Sequence, residues 1–269
     1  METQLNLTEN ISVFSQFAAD IARKGGECAK QLFRSNCTVD VKTDKSPVTT
    51  ADRNTEALLR KSIQERYPDH GILGEEYGDD NLQAKYVWSL DPIDGTRSFI
   101  SGHPVWGTLV ALLHEQVPVV GAVEMPALTE SWNAFLGGGC YFTDRDGNRN
   151  RCTVSRCARI EDATLCTTSP LYFHESEKPV IWKLIETVGD SRFGGDCYIY
   201  CLLASGFVDL VVESELHPFD YLPLVPIIQE AGGVITDWLG QPLTAQSTGQ
   251  VIAAATRELH QRTLDLLNG

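Results

Sequence analysis

Two carboxylates three positions apart, Asp91 and Asp94, directly follow a short apolar run at residues 87–90. The run predicts a buried strand. Because Pro92 fixes its own φ and biases Asp91 toward an extended conformation, we expect the strand to stop there and a stiff turn to follow. Two acids held this close repel each other unless a cation lies between them. Oxygen ligands of this kind suit Mg²⁺ or Mn²⁺, so the turn predicts a divalent-metal site.

Gly95 and Thr96 complete the turn and precede a segment that could begin a helix. Glycine permits a close approach of the backbone to a ligand, and amide N–H groups at the start of a helix attract anions. A metal site beside an anion-binding backbone indicates phosphate chemistry. A solvated turn in which Thr96 caps a helix is the alternative that this stretch alone leaves open.

Further acids are predicted at the ends of strands and the starts of helices. Glu75 follows the strand-like residues 70–74, and Asp220 stands where another helix is predicted to begin. Carboxylates delivered to one place by several strand ends are a common way to build an α/β site. Lys45 and Asp52 lie in a polar loop before a predicted helix, where an exposed lysine and a helix cap are the competing explanations.

The first half of the chain predicts helices followed by adjacent strands. Apolar side chains with helical spacing at positions 14 to 21 indicate a first helix, and residues 1–10 before it are expected to be loose. A second helix is expected after a cap at Thr49, Thr50 or Asp52. An antiparallel meander, and with it an α+β half, is predicted by four β-like runs joined by short turns, at residues 107–113, 117–125, 131–136 and 140–142.

In the second half, predicted strands alternate with predicted helices, which is typical of an α/β arrangement. Asp196 is expected to cap the helix that begins at Cys197, and a later helix is expected at residues 221–231. A weak change in composition near residues 151–162 divides the chain into two predicted units, 1–150 and 151–269, within one compact catalytic body.

The balance of charge restricts the partners of this chain. Its 36 acidic and 22 basic residues give a formal net charge of −14, which argues against nucleic acid and anionic membranes as partners. No signal-like stretch opens the chain, and no apolar run is long enough to span a bilayer. The eight cysteines show neither a C-x-x-C pair nor paired zinc spacing. We therefore expect reduced thiols in a cytoplasmic protein.

The order of the acids resembles the inositol monophosphatase superfamily of magnesium-dependent phosphatases. Gly-Glu-Glu at residues 74–76 precedes Asp-Pro-Ile-Asp-Gly-Thr at 91–96, and Phe-Asp at 219–220 precedes Ala-Gly-Gly at 231–233. Phenylalanine stands where the family commonly has tryptophan. The resemblance covers residues 14–269. It implies a layered α-β-α-β-α sugar-phosphatase-like fold, with an antiparallel sheet in the N-terminal half and a mixed sheet in the C-terminal half.

Within the superfamily, residues 95–107, 195–198 and 219–226 look most like the histidinol-phosphate phosphatase branch. Inositol phosphatases more often carry Asn-Phe-Val in the first of these segments. The resemblance thus implies hydrolysis of L-histidinol phosphate to L-histidinol and phosphate, in histidine biosynthesis. Pro223 departs from the branch pattern, which has a small residue there, although proline is tolerated in a first helical turn.

The same resemblance implies a set of metal ligands. Glu75, Asp91 and the Ile93 carbonyl would hold one Mg²⁺. Asp91, Asp94 and Asp220 would hold a second, with Asp91 bridging the two. The family binds two or three such ions in each site, and Mn²⁺ is an alternative.

Roles in catalysis and substrate binding are also implied. Thr96 and Asp52, together with Glu75, would orient and deprotonate the attacking water, while the Gly95 and Thr96 N–H groups would receive phosphate oxygens. Residues that resemble substrate-contacting positions are Asp196 and Glu213, with Lys45 adding charge near the site. A helix cap and a surface acid are the competing explanations for Asp196 and Glu213.

Two rival functions remain open at this point. An inositol monophosphatase, or a broader phosphatase of small phosphorylated metabolites, would use the same metal ligands. A non-catalytic metal-binding scaffold would keep the fold without the reaction. The family usually forms homodimers, which implies a homodimer here, and the apolar meander could supply the interface.

Overall fold

The computed structural model describes residues 2–35, 39–41 and 47–269, without the side chains of residues 2–10 and 41. Its helices are α1 (Glu2–Lys30), α2 (Thr50–Arg66), α3 (Thr96–Ser101), α4 (Lys178–Thr187), α5 (Cys197–Ala204), α6 (Pro218–Tyr221), α7 (Leu224–Glu230) and α8 (Arg257–Asn268). Its strands are β1 (Val39–Val41), β2 (Pro47–Thr49), β3 (Gly71–Gly74), β4 (Tyr86–Asp94), β5 (Gly107–His114), β6 (Val117–Met125), β7 (Glu130–Phe135), β8 (Gly139–Thr143), β9 (Arg149–Arg151), β10 (Thr164–Thr167), β11 (Asp190–Phe193), β12 (Leu210–Glu213), β13 (Val234–Thr236) and β14 (Val251–Ala254).

A seven-stranded sheet in the order β3-β4-β5-β6-β7-β8-β9 forms the first half. β3 runs parallel to β4, and every other neighbouring pair is antiparallel, which confirms the predicted antiparallel sheet. The edge strand β9 was not predicted, because its sequence Arg-Asn-Arg has no apolar alternation. Helices α1 and α2 pack against this sheet on one side, and α7 packs against β6 and β7.

The second half holds a five-stranded mixed sheet in the order β11-β10-β12-β14-β13. β10 is parallel to β11 and β12, whereas β14 is antiparallel to β12 and β13. Helix α5 packs on β12, β14 and α7, and α8 packs on β14 and α4. The layers are therefore α1 and α2, the first sheet, α5 and α7, the second sheet, and α4 and α8, which confirms the predicted α-β-α-β-α order.

Alternate residues of the second sheet enter two different cores, as the two-residue period of a strand requires. Val211 and Ala253 pack with the buried residues of α5 and α7, while Val212 and Ile252 pack with those of α4 and α8. The first of these cores also contains Leu109 of the seven-stranded sheet. The layer of α5 and α7 thus joins the two sheets, and the division of the chain at residues 150 and 151 stays a prediction.

Strand β4 extends to Asp94, so the expectation that it stops before Asp91 was wrong. Its pairing with β5 shifts register between Asp91 and Asp94, as in a β-bulge. Pro92 lies in this irregular stretch, where its missing N–H removes no regular ladder bond. Its carbonyl instead accepts a hydrogen bond of 2.8 Å from the Thr108 hydroxyl.

Two predicted helix boundaries also differ from the structure. The helix expected at residues 221–231 is two helices, α6 and α7, because Pro223 between them has no N–H with which to continue the hydrogen-bond ladder. Helix α1 begins at Glu2, where a loose segment was expected. Once a helix exists around the buried Ile11, each added residue gains a hydrogen bond without a new nucleation event. Among the described helices, none has the length and apolar character that crossing a bilayer would need.

Candidate active site at the junction of the two sheets

A cleft of about 410 Å³ lies at the junction of the two sheets, within the size range of small-ligand pockets. Because β3 and β4 are parallel, their carboxyl ends meet at one edge, which brings Glu75 beside the end of β4. The predicted site residues that line this cleft are Glu75, Asp91, Ile93, Asp94, Gly95, Thr96, Asp196, Glu213 and Asp220. Lys45 lies outside the described residues.

The carboxylates of Asp91, Asp94 and Asp220 form one cluster, in which an oxygen of each lies within 4.8 Å of the others. Burial, followed by the charges of Glu75 and the other two acids, raises the pKa of Asp91 well above its usual value. Burial also raises the pKa of Asp94 to about 7, and that of Asp220 well above its usual range. The free energy of the charged cluster is therefore unfavourable without a cation.

A divalent cation fits this cluster. None of the ion pairs between described residues involves Asp91, Asp94 or Asp220, so no described basic side chain offsets their charge. Carboxylate oxygens, joined by a backbone carbonyl such as that of Ile93, are the ligands that Mg²⁺ and Mn²⁺ prefer. A bound cation would favour the charged forms of all three acids.

Backbone N–H groups fix one oxygen of each clustered acid. Asp91 accepts from the Ile93 N–H at 3.0 Å, and Asp220 accepts from the His217 N–H at 2.7 Å. Asp94 accepts from the Cys197 N–H at 2.6 Å, which ties the end of β4 to the start of α5. The side chains are thereby oriented before any ligand binds.

Glu56, on the buried face of α2, was not predicted as a site residue. Its carboxylate accepts hydrogen bonds from the backbone N–H groups of Glu76 and Tyr77, at 2.6 and 3.2 Å, and from Arg60 Nε at 2.7 Å. It therefore holds in place the turn that carries Glu75. The sequence signal was weak, since an acid four residues before an arginine is usual on solvent-exposed helix faces.

Thr96 and Asp52 are neighbours, as their predicted joint role requires. The Thr96 hydroxyl lies 3.1 Å from the Ile93 carbonyl oxygen and 3.4 Å from Asp52 Oδ1. Asp52 Oδ2 accepts from both the N–H and the hydroxyl of Thr49, at 2.7 and 2.6 Å. Thr49 is thus the N-cap of α2. The buried Asp52 is the N3 residue of the helix and completes a capping box with Thr49.

Asp196 stands at the N-cap position of α5, as expected, but its side chain does not cap the helix. Its φ of 45° places it in the left-handed region, and its side chain makes no capping hydrogen bond. It accepts instead from the Ser98 hydroxyl at 2.7 Å, and it lies so close to Gly95 that a Cβ there would come within 2.9 Å of it. Burial raises the pKa of Asp196. The carboxylate therefore faces the turn after β4.

Glu213 is a buried acid at the end of β12 and not a surface acid. Its Oε1 accepts from the Thr168 backbone N–H at 2.8 Å. Burial raises the pKa of Glu213 to about 7, with the charge of Asp196 adding to the shift. The cleft therefore holds two further carboxylates beside the cluster of Asp91, Asp94 and Asp220. These carboxylates, on Asp196 and Glu213, favour binding of a positively charged group.

Comparison with known proteins gives the relatives of this chain. A model of the inositol monophosphatase family matches residues 10–268. A chloroplastic bifunctional phosphatase of Arabidopsis thaliana, IMPL2, is 39% identical over 274 residues, covering 98% of this chain and 78% of that protein. The histidinol-phosphatase of Mycobacterium tuberculosis is 38% identical over 253 residues, covering 93% and 96% of the two chains.

Solved structures give the same result at the level of the fold. An inositol monophosphatase from Zymomonas mobilis superposes with a TM-score of 0.87 at 36% sequence identity. The superposition covers 96% of this chain and 98% of that one. The fold therefore has a match among solved inositol monophosphatases.

Proposed function

The chain belongs to the inositol monophosphatase family, as its motifs predicted, and we propose that this phosphomonoesterase hydrolyses L-histidinol phosphate. The observation that carries the proposal is the pair of carboxylates, Asp196 and Glu213, in the cleft beside the Asp91–Asp94–Asp220 cluster. The cleft would thus have two binding regions, each formed by one group of acids. One group of acids suits cations that bind phosphate, and the other suits a positively charged organic group.

The proposed cofactor is Mg²⁺, at two or three ions per site, with Mn²⁺ as an alternative. Glu75, Asp91 and the Ile93 carbonyl would hold one ion, and Asp91, Asp94 and Asp220 another. When bound, such ions neutralise charge on the phosphoryl oxygens and make water a better nucleophile at neutral pH. Hydrolysis of phosphate monoesters is among the slowest uncatalysed reactions, so the site has a large barrier to lower.

Thr96 and Asp52 are the proposed groups that handle the attacking water, with Glu75 assisting. The single hydroxyl proton of Thr96 is directed to the Ile93 carbonyl or to Asp52, so its oxygen lone pairs remain available. The oxygen can then accept a hydrogen bond from the water O–H and orient the water lone pair toward phosphorus. As the water attacks, its proton would pass to the Thr96 oxygen while the Thr96 hydroxyl proton passes to Asp52.

The backbone at Gly95 and Thr96 is the proposed phosphate-binding element. Gly95 has φ +79° and ψ 41°, a conformation in the left-handed region that glycine adopts without strain. Gly95 precedes α3, so the N–H groups here are not used by the preceding strand. Phosphate oxygens bound there would lie beside the carboxylates of the same turn.

The organic part of the substrate would extend toward Asp196 and Glu213. L-Histidinol phosphate carries an ammonium group and an imidazole, and carboxylates favour both as cations. Inositol phosphate carries neither. Burial raises the pKa values of these two acids, so a positively charged ligand would favour their charged forms.

Two rival functions follow from other observations. Relatives include an inositol-1-monophosphatase of Rhizobium meliloti, 32% identical over 269 residues, so a polyol phosphate or a broader set of phosphates is the rival substrate. A non-catalytic metal-binding scaffold is the rival of a different class. Glu75, Asp91, Asp94 and Asp220 are all present in the cleft, which speaks against the scaffold.

We further propose a place in histidine biosynthesis, a cytoplasmic location and a homodimer. The seven described cysteines are all free thiols, which supports a reducing compartment. For the homodimer, sedimentation at micromolar concentration would give a mass near twice 29.7 kDa. A mass of 29.7 kDa would contradict it.

Phosphate release in the presence of Mg²⁺ tests the proposed substrate. We expect kcat/KM for L-histidinol phosphate to exceed that for inositol 1-phosphate by at least about 100-fold, because only the first substrate offers a positive charge to Asp196 and Glu213. Equal or faster hydrolysis of inositol 1-phosphate would overturn the substrate assignment and keep the phosphatase.

A further inference from the structure

Tyr200 is a buried residue of α5 that also lines the cleft, and its side chain is only 1% exposed. Its hydroxyl lies against the carboxylate of Glu213 but makes no well-aligned hydrogen bond to any described residue. Buried polar groups nearly always have well-formed hydrogen bonds, so this hydroxyl needs an explanation.

The lack of a well-aligned hydrogen bond is specific to this position. The hydroxyls of the neighbouring tyrosines are satisfied, since Tyr198 donates to Glu130 Oε2 at 3.2 Å and Tyr221 donates to the Thr244 carbonyl at 2.7 Å. Other buried polar atoms without partners, such as those of Ser89 and Trp106, belong to residues that do not line the cleft. Within the described part of the chain, Tyr200 therefore combines a hydroxyl without a well-aligned hydrogen bond with a position in the cleft.

The charges around Tyr200 indicate what it could bind. Burial and then the carboxylate of Glu213 raise the pKa of the phenol well above its usual value, with Asp94 and Asp220 contributing. The phenol thus stays protonated beside acids from both groups in the cleft. Glu213 uses Oε1 for the Thr168 N–H, and its carboxylate also faces the Tyr200 hydroxyl.

We infer that Tyr200 is a specificity-determining residue whose hydroxyl oxygen accepts a hydrogen bond from the ammonium group of the substrate, beside Glu213. The phenolic proton would then point to the carboxylate of Glu213, against which it already lies. An ammonium group has three N–H donors and can bind the phenol and the carboxylate together. This inference rests on the proposed function, and it assigns to Tyr200 the discrimination between an amino alcohol phosphate and its deaminated form.

The test compares two substrates and two variants. The substrates are L-histidinol phosphate and 3-(imidazol-4-yl)propyl phosphate, which lacks only the amine. The variants are Tyr200→Phe and the matched control Tyr198→Phe, on the same helix. We expect Tyr200→Phe to raise KM for L-histidinol phosphate about tenfold with little change in kcat, and to leave KM for the deaminated substrate unchanged.

Thermal unfolding separates this role from a structural one. Tyr200→Phe removes a hydroxyl that makes no well-aligned hydrogen bond, so its Tm should stay close to that of the wild type. Tyr198→Phe removes a hydrogen-bonded hydroxyl, so it should lower Tm slightly and leave KM for both substrates unchanged.

Three results would overturn the inference. They are equal KM values for wild type and Tyr200→Phe, an equal loss on both substrates, and a loss that appears only together with a lower Tm. Failure of the wild type to hydrolyse L-histidinol phosphate would instead overturn the proposed function, and the inference with it.

Discussion

The backbone N–H of Cys197 donates a hydrogen bond of 2.6 Å to Asp94 Oδ2, across 103 positions of the sequence. The contact joins the turn after β4 to the start of α5, and so joins the element that carries Asp91 to the element that carries Asp196 and Tyr200. Relative placement of the two acid groups in the cleft therefore depends on how the two sheets pack.

Asp94→Asn should leave the fold intact. The amide oxygen can still accept the Cys197 N–H, and the change removes one of three mutually repelling acids. We expect Tm in chelator to be unchanged or higher by a few degrees, roughly 2–4 °C for each kcal/mol of relief. Asp237→Ala is the control, because it removes the acceptor of the N–H bonds from Leu239 and Gln241 outside the cleft and should lower stability. Unfolding of Asp94→Asn at room temperature would contradict this prediction.

Without metal, the stability of the protein should fall as pH rises from about 5 to 8. Burial raises the pKa of Asp94 and of Glu213 to about 7 in the folded chain, above the ordinary carboxyl range. The folded state therefore binds more protons than the unfolded state between those limits, so raising the pH favours unfolding. We expect Tm in chelator to be lower at pH 8 than at pH 5 by roughly 5 °C or more.

Magnesium should recover most of this loss at pH 8 and have less effect at pH 5, where the acids hold protons that a cation must displace. Glu124, which lies outside the cleft and whose pKa burial also raises to about 7, supplies the control. Glu124→Gln should reduce the fall of Tm with pH without changing the effect of Mg²⁺. A Tm in chelator that rises from pH 5 to pH 8 would show that the acids are not destabilised by burial.

Glu56→Gln should weaken metal binding by about 10- to 100-fold, as changes behind a metal ligand commonly do. Glu56 holds the turn that carries Glu75 through two backbone N–H groups, and the amide would make these bonds less well. Titration of Mg²⁺ against activity would measure the effect at a temperature where the variant is folded. Glu230→Gln is the control, since Glu230 likewise accepts two backbone N–H groups, from Gly137 and Gly139, outside the cleft. Equal Mg²⁺ affinity in Glu56→Gln and Glu230→Gln would show that Glu56 does not support metal binding.

Asp196→Asn should lower kcat/KM for L-histidinol phosphate by about 10-fold or more and that for inositol 1-phosphate by less, because only the first substrate carries a cation. Ser98→Ala, which removes the 2.7 Å hydrogen bond to Asp196 and keeps its charge, should have a smaller effect in the same direction. The ratio of kcat/KM between the substrates is the quantity to compare. An equal decrease on both substrates would argue that Asp196 acts on the phosphate end.

Local spacing predicted the parts of the site that are contiguous in sequence. Asp91 and Asp94 lie in the irregular end of β4 and Thr96 begins α3, so their closeness in sequence keeps them close in space. Glu75 was predicted for a related reason, since two successive strand ends bring their acids to one edge of a sheet.

Contacts between distant elements could not be predicted in this way. Asp196 satisfies the usual pattern of a helix cap, but Ser98, 98 positions earlier, binds its carboxylate instead. Glu56 and Tyr200 resemble ordinary residues of buried helix faces. Their roles depend on which backbone groups and charges face them in the assembled layers, and neither sequence period nor composition reports that.

The central claim is that the carboxylate cluster binds magnesium and drives hydrolysis of L-histidinol phosphate. Its most direct test is phosphate release from this substrate by the wild type and by Asp94→Asn, after chelation and again after Mg²⁺ is returned. We predict release by the wild type only with Mg²⁺, and a rate at least about 1,000-fold lower for the folded variant. Release that persists in chelator, or that is equal in the two proteins, would contradict the claim.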